Sequence, residues 1–140
     1  MHIREFSWPD DYKAVVELWK VTGLYNPSSD SPHHIRQVVE RNPGLFLLAV
    51  EPERGIVGSV IGAFDGRRGY LYHVAVHPDF QRKGYGSALL REVERRLWAL
   101  GAPKIRLLVG YNNLSAVAFY RSLGFEVDSA TSMSKLPPDE

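Results

Sequence analysis

The chain has 140 residues, 44% hydrophobic and 24% charged, which suits one compact core and a single domain over 1–140. Seventeen basic and sixteen acidic side chains leave a net charge of +1, so bulk electrostatics points to neither a nucleic-acid nor a membrane partner. The absence of cysteine excludes a disulfide framework, a thiolate metal site and a cysteine nucleophile and makes the cytoplasm the expected compartment, as does the lack of a signal-peptide pattern or a long apolar run.

Charge is unevenly spread. Residues 1–53 carry five basic and eight acidic side chains, whereas 54–140 carry twelve and eight. Between Gln81 and Arg106, seven basic residues face only Glu92 and Glu94. Such a cluster is either a solvated helix face or an anion site, and charge alone does not choose between them.

A first strand precedes Ser7-Trp8-Pro9-Asp10-Asp11, which reads as a helix start with a hydroxyl cap, a proline in the first turn and acids near the positive end of the dipole. Val15, Leu18, Trp19 and Thr22 keep helical spacing until Gly23. Tyr25 to Asp30 is a turn-rich connection, either a surface loop or a flap over a site. Ser31-Pro32 opens a second helix with Ile35, Val38 and Val39 on its apolar face, and Asn42-Pro43-Gly44 stops it. Strands are expected from Leu45 to Val50, Ile56 to Phe64 and Tyr70 to His77, separated by two glycine-bearing turns. A long amphipathic helix runs from about Tyr85 to Leu100, with Leu89, Leu90, Val93, Leu97 and Leu100 on one stripe. Lys104 to Val109 reads as a strand, Leu114 to Leu123 as a short helix and Phe125 to Met133 as a final strand. Hairpin strands followed by strand, helix, strand mean a mixed sheet in an α/β or α+β layer architecture.

The densest chemical signal is the stretch from Tyr72 to Leu90, where a strand runs through a short loop into a helix whose start carries Gly84 and Gly86. Glycine there opens main-chain N–H groups to a ligand, and unpaired amides with the helix dipole favour an anion, so a phosphate group is expected. A dinucleotide fingerprint is disfavoured because Leu89 stands where its third glycine would be, and a P-loop is disfavoured because no Lys and hydroxyl residue follow at the required spacing.

This stretch resembles motif A of the GNAT superfamily of N-acetyltransferases, V-x-P-x-x-[QR]-x-x-G-x-[GA], with Val76, Pro78, Gln81, Gly84 and Gly86 in the motif positions. Downstream, Asn113 to Phe125, with Tyr120 and the terminal Leu123-Gly124-Phe125, is similar to motif B of that superfamily. The likeness spans essentially the whole chain and is nearest the bacterial YpeA-like branch. It implies the GNAT acyltransferase fold, a mixed central sheet with splayed strands flanked by about four helices, in which the third of the strands from Leu45 to His77 carries a bulge. It also implies acetyl-CoA as donor, a primary amine as acceptor and coenzyme A as product, with no nucleic acid, membrane or metal required and a homodimer among the expected states. The family pattern puts the pantetheine arm along Val74, Ala75 and Val76 and the pyrophosphate on the N–H groups of Arg82, Lys83, Gly84, Tyr85, Gly86 and Ser87. Gln81, Asn113, Ala116 and Phe119 match further cofactor-binding positions, although Asn113 also reads as an ordinary residue before a helix.

The implied reaction is direct attack of the amine on the thioester carbonyl through a tetrahedral intermediate. Tyr120 matches the family's general acid, against the alternative of a packed core tyrosine, and a phenol near pKa 10 suits a departing thiolate. Several branches place Glu or His where this chain has Tyr70, and the branch acting on ribosomal-protein N-termini places Glu where it has Leu108. Strict alternation puts Tyr70, Tyr72 and Val74 on one strand face and His73 on the other. Tyr70 and Tyr72 are then expected to hold a water that removes the proton, with His73 as an alternative base or a structural histidine. Freeing a lysine-type amine at neutral pH costs about 4.6 kcal/mol against about 1.4 kcal/mol for an α-amine, which favours the latter where no strong base stands ready. A non-catalytic acyl-CoA sensor with the same fold is the competing expectation.

Overall fold

A computed structural model of the chain describes residues 1–138. Its elements are β1 (His2–Glu5), α1 (Tyr12–Thr22), α2 (Pro32–Arg41), β2 (Phe46–Glu51), β3 (Gly55–Phe64), β4 (Gly69–Val76), a 3₁₀ turn (Pro78–Phe80), α3 (Tyr85–Ala99), β5 (Ile105–Leu107) and α4 (Leu114–Ser122). The strands form one sheet in the order β1-β2-β3-β4-β5, antiparallel through β4 and parallel between β4 and β5. The helix α3 is the crossover that a parallel neighbour requires. The sheet and the first three helices belong to one compact unit, Met1–Leu108, and α4 belongs to a second that begins at Val109.

Alternation along β2 and β3 divides the core between the two faces of the sheet. On one face, Phe46, Leu48 and Ile61 pack with Val15, Leu18 and Trp19 of α1 and Ile35 of α2. The helix α3 covers the other face with Leu89, Leu90, Val93 and Leu97, all fully buried, whereas Leu100, expected on the same stripe, follows the last helical residue, Ala99, and is exposed. Each such buried side chain contributes roughly 1.5–3 kcal/mol on leaving water. The approach of α3 requires Gly62, because a Cβ there would lie 2.7 Å from Val93 Cγ2.

Three further expectations are corrected. The helix α1 starts at Tyr12 and not near Ser7, because the Asp11 carboxylate accepts the Ser7 N–H at 2.8 Å and pairs with Arg4 through two bonds of 2.7 and 2.9 Å, so Ser7 to Asp11 forms a turn. The strand expected over Lys104 to Val109 shrinks to Ile105–Leu107, since its pairing with β4 stops at Leu71 opposite Leu107. No strand follows α4 among the described residues. After Phe125, the run from Asp128 to Ser132 is short, polar and exposed, with no apolar alternation to bury against a sheet. The second helix starts as expected, with Ser31 Oγ accepting the His34 N–H.

Candidate active site

The strand β4 pairs with β5 only through Gly69, Tyr70 and Leu71. From Tyr72 to Val76 the strand continues while β5 has ended, so the two diverge and leave backbone groups available along one edge of β4. On the other edge the register with β3 slips: Ser59 faces Ala75 and Ile61 faces Tyr72, so His73 and Val74 together oppose Val60. This is a β-bulge. His73 sits in it at φ +47°, a left-handed conformation for a non-glycine residue.

The bulge overturns the strict alternation. Its extra residue turns the His73 ring toward α1, where it lies 4.5 Å from the Trp19 ring, on the face that also holds Ile61 and Ala75. His73 Nε2 meets both Asp30 carboxylate oxygens, at 3.0 and 2.9 Å. The His73 carbonyl accepts from Ser59 Oγ at 2.8 Å, and Ser59 Oγ accepts from Trp19 Nε1 at 2.9 Å. These contacts of Asp30, Ser59 and Trp19 are not legible in the sequence, because the bonded partners lie 14 to 43 residues apart.

Beyond β4, Gln81 Nε2 donates to the Val76 carbonyl at 3.0 Å and ties the loop back to the strand end. Arg82 and Gly84 take positive φ, +64° and +83°, so the chain coils before entering α3. Gly84 is the residue before the helix, no side chain caps it, and a Cβ added there would meet nothing within 4 Å. Hydrogen bonding runs up to Gln81 N–H on the Pro78 carbonyl and resumes with Ala88 N–H on the Gly84 carbonyl. The amides of Arg82, Lys83, Gly84, Tyr85, Gly86 and Ser87 lie between and donate to no group among the described residues. Such a run of free amides at a helix N-terminus is chemically suited to a phosphate oxygen.

Side chains brace this loop from outside. The Phe80 and Tyr85 rings stack 5.9 Å apart, and Arg54 and Lys83 place their charges 5.0 and 5.1 Å from the Phe80 ring. Tyr85 Oη donates to the Glu51 carboxylate at the end of β2. That bond holds the Glu51 carboxyl below its ordinary range and the Tyr85 phenol above its own. Tyr85 therefore offers a ligand its backbone, with its ring and hydroxyl engaged elsewhere.

Tyr70 and Tyr72 line an open cleft of about 530 Å³ with Arg41, Asn42, Phe64 and Asp65. Burial pushes the Tyr72 phenol up, with Tyr70 and Asp65 adding to the effect, so Tyr72 keeps its proton at neutral pH. The Arg68 and Arg67 amides hold the Asp65 carboxyl below the carboxylate range, leaving a negative charge at the cleft.

In the second unit, Asn113 caps α4 by accepting the Ala116 N–H at 3.2 Å, as the structural reading of that residue anticipates. Ala116 and Phe119 are partly buried, and Tyr120 packs edge-on against Phe119 and Phe125 with ring centroids 5.2 and 5.7 Å away. Burial pushes the Tyr120 phenol up, which suits a proton donor and not a base. Among the described residues, no group of three His, Asp or Glu side chains is placed to hold a metal ion, and no helix is long and apolar enough to cross a membrane.

Residues 4–125 match the family described as the acetyltransferase (GNAT) family. An acetyltransferase of Pectobacterium atrosepticum is 39% identical over 135 residues, covering 96% of this chain and 94% of that protein. One of Yersinia enterocolitica is 36% identical over the same shares. Among solved structures, Ard1 from Thermoplasma volcanium aligns with a TM-score of 0.80 at 25% identity, covering 91% of this chain and 84% of its own. The PaiA N-acetyltransferase of Thermoplasma acidophilum, solved in complex with coenzyme A, aligns with a TM-score of 0.79 at 22% identity, covering 93% and 92%, and shares the fold.

Proposed function

The chain belongs to the acetyltransferase (GNAT) family, and from that premise we propose that it moves the acetyl group of acetyl-CoA onto a primary amine bound beside β4. The observation that carries this reading is the run of six free amides from Arg82 to Ser87, directly after a strand edge left open by the divergence of β5. Among known ligands of such a pairing, a diphosphate joined to an amide-bearing arm satisfies both: the diphosphate takes the loop, and the arm takes Val74, Ala75 and Val76 as an added strand would. Arg82 and Lys83 supply charge while the amides supply geometry.

Acetyl-CoA brings an activated thioester carbonyl. This chain's own residues hold it and manage the protons. An N–H of the bulge around Val74 is assigned to the oxygen on which negative charge develops. Tyr120, kept protonated by burial, delivers a proton to the departing thiolate. In the acceptor cleft, the Asp65 carboxylate attracts an ammonium group, and Tyr70 and Tyr72 hold the water that removes a proton from the amine. By the family pattern Gln81, Asn113, Ala116 and Phe119 are further donor-binding positions; each of Gln81 and Asn113 is held in its own unit, by bonds to the Val76 carbonyl and the Ala116 N–H. The same reading places the enzyme in the cytoplasm, with no metal or nucleic acid, and admits a homodimer.

The absence of a carboxylate at Tyr70 and Leu108 favours a second reading, an acyl-CoA sensor without turnover. A screen of amines and peptides with acetyl-CoA, followed by thiol release and product mass, decides between the two. Acetylated product with stoichiometric thiol supports the enzyme; saturable acetyl-CoA binding without thiol release from any acceptor supports the sensor.

A further inference from the structure

We infer that Asp30 and His73 are positioning residues that latch the connection between α1 and α2 onto the bulge of β4, so that a donor seated on β4 also tightens that connection. The inference rests on the proposed placement of acetyl-CoA along β4. It concerns residues that the reaction itself does not use.

The connection from Leu24 to Ser31 is mostly exposed: Asn26, Pro27, Ser28 and Ser29 all face solvent. Asp30 is the exception, only 4% exposed. A buried carboxylate without partners is costly, so its bonds dictate where the connection lies. Asp30 Oδ2 accepts the Asn26 N–H at 2.8 Å, the Asp30 N–H donates to the Asn26 carbonyl at 2.8 Å, and the Asp30 carbonyl accepts from Tyr12 Oη at 2.7 Å. These bonds close the segment into one small, internally bonded turn. The carboxylate then reaches across to His73 Nε2 on β4.

At the other end of the latch, His73 holds a left-handed backbone conformation that only surrounding contacts can maintain. Three groups grip it: Asp30 on the ring nitrogen, Trp19 against the ring and Ser59 on the carbonyl. Val74, the next residue, begins the edge assigned to the donor. A donor that bonds this edge restricts the backbone at His73 and Val74 and so restrains the ring that Asp30 holds. The converse also follows, since an anchored Asp30 narrows the positions available to the bulge.

Hydrogen exchange by mass spectrometry on the whole chain, with and without acetyl-CoA, tests this without an identified acceptor. In the wild type, acetyl-CoA slows exchange in peptides covering 72–77 and also in those covering 24–31, where the Asn26, Ser29 and Asp30 amides are bonded. Two variants remove the latch by different routes. Asp30→Asn keeps an acceptor for the Asn26 N–H but not the charged bond to His73, and His73→Asn retains a residue that tolerates positive φ but shortens its reach. In both, acetyl-CoA affinity falls by no more than about the same fivefold and slowing at 72–77 persists, while donor-induced slowing at 24–31 falls from about fivefold to under about twofold. Slowing confined to 72–77 in the wild type, or undiminished slowing at 24–31 in a folded variant, overturns the latch. No slowing at 72–77 in the wild type overturns the placement of the donor instead.

Discussion

Gly86→Asp pushes two measurable quantities in opposite directions. Gly86 is the second residue of α3, a helix with no side-chain cap and no acid in its first turn. Replacing glycine by aspartate inside a helix recovers a few tenths of a kcal/mol of propensity, and a carboxylate in the first turn adds about 0.3–1 kcal/mol through the dipole. The ligand-free protein should therefore be more stable by about 0.5–1.5 kcal/mol, a rise of roughly 2–5 °C in Tm for a chain of this size. For the donor the same carboxylate is repulsive. A unit charge about 6 Å from a phosphate charge at an effective dielectric of about 20 costs about 3 kcal/mol, and solvent screening reduces this toward about 1.4, so affinity falls roughly tenfold to a hundredfold. Thermal unfolding of the free protein and calorimetric titration with acetyl-CoA measure the two effects separately. An unchanged Kd would refute the phosphate assignment, and a weaker Kd accompanied by a lower Tm would mean that the substitution had merely damaged the helix.

Tyr120→Phe should lower kcat at least tenfold while acetyl-CoA affinity changes less than about threefold, measured by thiol release and titration; equal losses in both would make the ring structural. Ser59→Ala leaves the fully buried Trp19 Nε1 without its acceptor and should destabilise the protein by about 2–3 kcal/mol, seen in denaturant unfolding. Trp19→Phe removes that donor, so the double variant should lose less than the sum of the two single ones, and strict additivity would contradict the shared bond. Asp11, whose carboxyl Arg4 holds below its ordinary range, contributes stability that is fully present above the unfolded pKa near 3.9 and is lost as pH falls through the lower folded value. Asp11→Asn should therefore be less stable than wild type at pH 6, with the gap closing as pH falls below the unfolded carboxylate value and through the lower folded one; a gap independent of pH would assign the loss to packing.

Local chemistry made much of this chain readable. The 3.6-residue spacing from Leu89 to Leu97, the Ser31-Pro32 start and the glycines around the loop each act within a few residues, and all produce the elements expected of them. The two motifs likewise point to a family that the comparisons bear out. The exact register was not readable. The family resemblance implied a bulge in β4, but nothing within the strand says where it falls, and one extra residue opposite Val60 sends the His73 ring to the face that alternation denied it. The Asp30 to His73 bond spans 43 residues, and Asp11 prefers Arg4 to a capping role, so both depend on partners that only folding brings near. The strand expected after Phe125 failed for a related reason: residues of middling strand preference follow whatever pairing is on offer, and none is made among the described residues.

A crystal structure of the chain grown with coenzyme A bears most directly on the account. Diphosphate oxygens should lie at hydrogen-bonding distance from amides between Arg82 and Ser87, with the pantetheine arm running beside Val74 to Val76. Coenzyme A bound elsewhere, with those amides facing only solvent or side chains, would contradict it.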